Sequence, residues 1–244
     1  WTAHQTEKLK LLDYIKRTTG REFSPDILTI GFARRAASYK RGDLIFTDIE
    51  RLAAICKGKV QFVFAGKAHP HDQHGKEIIK KIFSYGSRLF SEKDIQIVFL
   101  PGYDMDLGLM LTAGCDVWLN NPLRPKEASG TSGMKAAHNG VPNFSVLDGW
   151  WIEGHQENIT GWAIGPKHET DELHETASHI DATDLYNKLE SLLIPCYYND
   201  RKQWISIMKN AIAQNATYFN THRMVKEYAD KAYQLEKVLS RKRA

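Results

Sequence analysis

The chain has 244 residues, of which 42% are hydrophobic, 11% aromatic and 25% charged. That is too rich in core-forming residues for a disordered chain and long enough for one large domain or two small ones. Its 33 Lys and Arg against 29 Asp and Glu leave a net charge of +4, a surplus too small to single out nucleic acid or any other partner.

The three cysteines, Cys56, Cys115 and Cys196, form no CxxC pair and read as thiols of a reducing, cytoplasmic compartment, not as a disulfide framework. No apolar stretch approaches the roughly 20 residues a membrane helix needs. The opening WTAHQTEKLK lacks the layout of a secretory signal, and Trp1 in place of Met puts the expected beginning of the protein upstream.

In chain order, Leu9, Leu12 and Ile15 at helical spacing predict an amphipathic helix from about Glu7 to Arg17, stopped by Gly20. Apolar runs then alternate with helical patterns. ILTIGFA at 27–33 precedes a helix near Asp48–Cys56, VQFVFAG at 60–66 one near Gly75–Phe83, and IQIVFL at 95–100 one near Asp106–Thr112. CDVWLN at 115–120 precedes a helix opening near Gly130, and NFSVL at 143–147 and WAIG at 162–165 complete the series. The runs are continuous, not alternating, and no Asn-Gly or Asp-Gly hairpin turn joins any two. This is the pattern of parallel strands buried on both faces and linked by helices, so the expected fold is a doubly wound, Rossmann-like α/β sheet over residues 1–180. From Asp181 the strand signals cease. Leu185, Leu189 and Leu192 mark one helix, Trp204, Ile207 and Ile212 a second, and Met224, Val225, Tyr228, Leu235 and Leu239 a longer last one. Residues 181–244 thus read as a helical extension packed on the same lobe, ending in a short basic tail, SRKRA.

Ligands of open α/β sheets bind beyond the carboxyl ends of the strands, and three such loops carry chemistry. RRAASYKR at 34–41 places four cations within eight residues. It reads either as a multi-phosphate clamp or as an ordinary solvated loop. GKAHPHDQHG at 66–75 holds His69, His71 and His74, but no Cys pair or HExxH helix completes a metal site, and no metal is expected. The third loop, Glu127, Ala128, Ser129, Gly130, Thr131, Ser132, Gly133, Met134, Lys135, sets small residues at a helix start, where free N–H groups favour an anion. It has neither the GxGxxG nor the Walker order. Lys135, one turn beyond Thr131, is placed to reach an anion held there or to form a Schiff base with an aldehyde cofactor. A capped helix with a surface lysine is the plainer alternative.

Taken together, EASGTSGMK at 127–135, RRAASYKR at 34–41, GKA at 66–68, FLPGYDMDL at 99–107 and DGWWIEG at 148–154 with the following ENITGWAIG resemble the α-glucan phosphorylases, especially the short bacterial and archaeal kind. Order and spacing agree from about Trp1 to Gly165, with a weaker helical match in FNTHRMVKEYADKAY at 219–233. The resemblance implies a two-lobed glycosyltransferase-B fold, of which this chain supplies most of the C-terminal lobe. It implies transfer of a glucosyl unit from an α-1,4-glucan (glycogen or maltodextrin) to inorganic phosphate, giving α-glucose 1-phosphate with retention.

By the same resemblance, Lys135 would hold pyridoxal 5′-phosphate as a Schiff base, with the cofactor's phosphate as catalytic partner. Arg34 would face that phosphate, Gly130, Thr131 and Ser132 would bind it, and Tyr103 would lie against the cofactor. Arg35 and Lys40 would hold the substrate phosphate and, with Lys135, form the catalytic set. Tyr39, Glu127, Ser129 and Gly130 would touch the reacting glucose. Ser132-Gly133 stands where the long eukaryotic enzymes have Gly-Asn, and Ala36-Ala37-Ser38 replaces bulkier residues; both fit the short subfamily.

Nothing here corresponds to the family's N-terminal lobe, so this chain alone is expected to show no phosphorolysis. A homo-oligomer is compatible with the resemblance, and neither nucleic acid nor membrane is an expected partner. Two other readings stay open: a cofactor-free nucleotide-sugar glycosyltransferase, and a non-catalytic anion- or glucan-binding module.

Overall fold

The structure, a computed structural model, describes residues 1–167 and 174–234. Helix α1 (Thr2–Thr19) leads into strand β1 (Leu28–Ala33), followed by short 3-10 turns at Ser38–Lys40 and Leu44–Phe46, α2 (Ile49–Cys56) and β2 (Val60–Ala65). Helix α3 (Gln73–Lys93), β3 (Ile97–Leu100), α4 (Met105–Gly114) and β4 (Val117–Asn120) come next. Then follow α5 (Thr131–His138), β5 (Asn143–Val146), α6 (Trp151–Gly154) and β6 (Gly161–Ile164). The remainder is helical: α7 (His174–Lys188), α8 (Ile194–Asn199), α9 (Arg201–Asn210) and α10 (Thr221–Glu227), with π-helical turns at Leu189–Leu193, Ala211–Ala216 and Tyr228–Ala232.

All six strands pair in parallel, in the order β3-β2-β1-β4-β5-β6. This is the doubly wound arrangement expected from the continuous apolar runs. Successive side chains of a strand point to opposite faces, and the core divides accordingly. Leu28, Ile30, Phe32, Val60, Phe62 and Phe64 meet α2, α3 and the C-terminal helices on one face, while Val63, Ala65, Val98 and Trp118 meet α1, α4 and α5 on the other. The chain reverses its winding between β1 and β4, which opens a crevice at their carboxyl ends.

The helices start where side chains can satisfy their free amides. Asp48, Asp72 and Asp104 accept from the backbone N–H of Arg51, Gly75 and Leu107 at 2.8–2.9 Å, capping α2, α3 and α4.

Several boundaries differ from the sequence pattern. Helix α1 is longer than expected and buries Leu11, Leu12 and Ile15, whereas Leu9 is 53% exposed. Its inward stripe runs instead through His4 and Lys8, which the hydrophobic pattern ignores. Lys8 is wholly buried because Nζ donates to Asp116 Oδ2 at 2.6 Å, to Ile27 O at 2.8 Å and to the Tyr197 hydroxyl at 3.2 Å. His4 Nε2 lies 2.8 Å from the other Asp116 oxygen. Helix α3 extends ten residues past the expected Phe83, carried by the buried Gly86 and Leu89. The single-turn α6 has no sequence signature.

At the C-terminal end Ala182, Leu185, Tyr186 and Leu189 join the sheet's core, but Ile212, Met224, Val225 and Tyr228 are exposed. Leu235, Leu239 and the basic tail lie outside the described residues. Among the described residues no helix is long and apolar enough to cross a membrane.

Candidate functional site

The crevice at the carboxyl ends of β1 and β4 collects the residues of the basic loop and of the glycine-rich loop. Arg34 follows β1 directly and is 8% exposed; Lys40 sits in the 3-10 turn after it and is 6% exposed. Both donate to the same carboxylate oxygen, Oε2 of Glu127, from the loop before α5. The Arg34 Nη1 group remains buried with no hydrogen-bond partner among the described residues. Burial pushes the Glu127 carboxyl up, but Lys40 and Arg34 outweigh it and hold the group below the usual carboxylate range.

The four cations of the basic loop therefore divide. Arg34 and Lys40 form a clamp already closed on an anion. Arg35 is exposed but lines the same pocket as Arg34, Lys40 and Gly66. Arg41 is structural: its guanidinium donates to Asn121 O at 2.8 Å, Pro122 O at 2.9 Å and Asp181 Oδ2 at 2.6 Å, tying the loop to α7.

Opposite the clamp, α5 starts on Gly130 at φ 89°, a left-handed conformation that a side chain would strain. No described side chain caps this helix, so the amides of Thr131 and Ser132 lack the satisfaction that aspartates give α2, α3 and α4. Gly133 is also required. A Cβ there would stand 2.5 Å from Asn143 Oδ1 and 2.9 Å from Trp150 Nε1. The Ser132 hydroxyl accepts from Trp118 Nε1 at 3.2 Å, and Asn143 Nδ2 donates to Gly133 O at 3.0 Å.

The loop leading to α5 is anchored from β5. Glu127 N–H donates to Asp148 Oδ2 at 2.8 Å and Trp150 N–H to Ser129 O at 2.9 Å. Burial pushes the Asp148 carboxyl up against the pull of the Glu127 and Gly149 amides that donate to it.

Tyr103, half-buried before α4, has its phenol pushed up by burial, with the Arg34 charge opposing that shift. Tyr39 is half-buried beside Lys40, whose Nζ lies 4.5 Å from its ring centre, and its carbonyl accepts from Leu123 N at 2.6 Å. Lys135 projects from α5 into solvent, and no described residue pairs with its ammonium. The structure thus brings Arg34, Lys40, Glu127, Ser129 and Gly130 into one crevice with Tyr103 nearby, and leaves Arg35 and Lys135 exposed.

Asp148, Trp150, Trp118 and Asn143 were not among the residues singled out by sequence. Asp148 and Trp150 lie in DGWWIEG, a stretch the sequence marks only as a whole, while Trp118 and Asn143 act through contacts between distant segments. The His69 and His71 rings lie tilted to one another on the surface, 5.5 Å between centres. Among the described residues no group of three or more His, Cys, Asp or Glu converges on a metal position.

A sequence model of the family described as carbohydrate phosphorylase matches residues 1–194. The chain is 45% identical to a maltodextrin phosphorylase of Thermococcus litoralis, over 96% of this chain and 29% of that protein. It is 43% identical to a glycogen phosphorylase of Aquifex aeolicus, over 96% of this chain and 36% of the relative. A glycogen phosphorylase of Mycobacterium tuberculosis is 37% identical over 86% of this chain and 25% of its own length. The chain spans about a third of the length of these relatives. With a family match over most of its length and the doubly wound sheet beneath it, this chain belongs to the carbohydrate phosphorylase family.

Proposed function

We propose that this chain is the cofactor- and phosphate-binding portion of an α-glucan phosphorylase, which transfers a glucosyl unit of an α-1,4-glucan to inorganic phosphate with retention, giving α-glucose 1-phosphate. The observation that carries the reading is the convergence of Arg34 and Lys40 on Glu127 at the switch point of the sheet, beside an uncapped helix start.

Pyridoxal 5′-phosphate fits the residues present. Among the described residues Arg34 Nη1 is a buried donor without a partner and the first amides of α5 have no side-chain cap, and Lys135 offers an exposed amine one turn further on. When bound, the cofactor supplies an acid–base partner through its own phosphate. The chain's side chains do the rest.

Two anions at about 4 Å repel by roughly 4 kcal/mol per pair of unit charges at an effective dielectric near 20. Arg34, Arg35 and Lys40 offset that repulsion, and the start of α5 adds about half a positive charge. Arg34, Gly130, Thr131 and Ser132 would hold the cofactor phosphate, while Arg35 and Lys40 would hold the substrate phosphate. Tyr103 would lie against the cofactor. The same cations stabilise the phosphate as it protonates the leaving glycosidic oxygen and collapses onto an oxocarbenium-like centre. Glu127 neutralises Arg34 and Lys40 until phosphate takes them, and then accepts hydrogen bonds from glucose hydroxyls beside Tyr39, Ser129 and Gly130.

The glucan itself requires surface that this third of a phosphorylase does not include, so maltodextrin phosphorolysis by this chain alone is expected to be undetectable. Borohydride trapping with pyridoxal 5′-phosphate, followed by peptide mapping, tests the cofactor assignment. Label at Lys135, absent from Lys135→Ala, is the expected result. Label scattered over surface lysines, or glucose 1-phosphate produced by this chain alone, overturns the reading.

A further inference from the structure

We propose that Trp150, backed by Phe219, is a positioning residue that fixes the anion-binding start of α5. This rests on the reading of that helix start as the seat of the cofactor phosphate.

Trp150 is 5% exposed and belongs to the turn between β5 and α6. Its backbone N–H holds Ser129 O at 2.9 Å, which anchors the loop just before the helix. Its indole lies along the glycine side of the first turn. Cδ1 is 3.5 Å from where a Cβ on Gly130 would stand, and Nε1 is 2.9 Å from where one on Gly133 would stand. The indole also packs against Phe219, edge-on at 5.0 Å between ring centres and 72° between planes. Phe219 comes from the C-terminal helical region, where its N–H donates to Asn215 O at 2.7 Å.

Such a wall is needed because of the residues it faces. Glycine gives a helix start the room to approach a ligand, but also the greatest backbone freedom. Amide donors bind an anion well only when their positions are set before it arrives. A side-chain cap, used by α2, α3 and α4, would hold the backbone but also occupy the donors. The indole restricts the turn from the side and leaves the amides free. The C-terminal helices thereby acquire a part in ligand binding, since Phe219 touches Trp150 and not the ligand.

A residue that merely supports the fold would affect every ligand of the site alike, whereas one that sets the amides matters only to the phosphate. The test uses this full chain with pyridoxal 5′-phosphate and with pyridoxal, which has the same aldehyde and no phosphate. Affinities for both are measured by absorbance titration, with trapping at Lys135 confirming the site.

Wild type is expected to prefer the phosphate-bearing aldehyde. Trp150→Leu should lose about tenfold of that preference, close to the 1.4 kcal/mol that a factor of ten represents, with pyridoxal binding unchanged. Phe219→Ala, more distant from the site and milder in its effect on folding, should lose roughly threefold by loosening the indole. Equal weakening of both aldehydes, or an unchanged preference in both variants, overturns the role of Trp150 while leaving the cofactor assignment intact. Absence of any preference in wild type, with no label at Lys135, overturns the cofactor assignment and this inference together.

Discussion

Glu127 is the residue on which the candidate site turns, because a single carboxylate oxygen receives both Arg34 and Lys40 in a crevice that screens them poorly from one another. Removing one member of such a group leaves the others under-compensated. Glu127→Gln is therefore expected to destabilise the chain by roughly 2–4 kcal/mol near neutral pH, measured by urea denaturation. The pH dependence has a definite sign. The cations hold the folded carboxyl below its ordinary value of 4.5, so its stabilising contribution is complete above that value and disappears as pH falls through the folded one. The gap between wild type and Glu127→Gln should narrow as pH falls below 4.5 and close once the folded carboxyl is protonated. A gap that persists in acid would mean that the carboxylate's charge is not what holds the clamp.

Among the elements, α1 shows how a helix can be held by polar contacts. Its hydrophobic stripe is modest, and its N-terminal half docks through His4 and Lys8 onto Asp116, which also accepts the Thr29 amide at 2.8 Å. Lys8 further reaches Tyr197 of α8, so one buried ammonium joins the first helix, the sheet and the C-terminal region. Burial alone would push the Asp116 carboxyl up, yet Lys8 and His4 hold it below the usual range. Lys8→Met keeps most of the volume and removes the cation. Because it leaves a buried carboxylate short of its partner, the expected loss is about 3–5 kcal/mol, read as a lower urea midpoint with an unchanged slope. A loss under about 1 kcal/mol would place Lys8 in the class of surface ion pairs. The Arg41–Asp181 pair makes a comparable link from the basic loop to α7.

For the molecule as a whole, the parallel sheet covered on both faces leaves little of its core accessible. Cys56 and Cys115 are fully buried, and burial pushes both thiols up, away from the reactive thiolate. Cys196, half-buried on α8, is the least protected of the three. Alkylation of the native chain, followed by mass spectrometry, should label Cys196 first and Cys56 and Cys115 only at the rate of global unfolding. Early labelling of Cys115 would indicate that the packing of α4 onto β1 opens locally.

Strand identity, order of elements and fold class were legible in the sequence because buried parallel strands leave continuous apolar runs such as VQFVFA, whose signal is local. The motifs at the strand ends were equally legible, since loops at the carboxyl ends of parallel strands must meet at one edge of the sheet. The stripe of α1 was misread because periodicity counts Lys8 as polar, and only Asp116, 108 residues away, makes its burial favourable. The tertiary structure alone decided which cation of RRAASYKR does what. Arg34, Lys40 and Arg41 are equivalent by charge, and they part company only because Glu127 lies on one side of the loop and Asp181 on the other. It also decided the supporting contacts of Trp150 and Asp148, which depend on where β5 delivers them. The sequence by itself determined the sheet and the chemistry available at its edge; the tertiary structure determined which of those groups face one another, because charge pairing and close approach depend on distances in space that spacing along the chain does not encode.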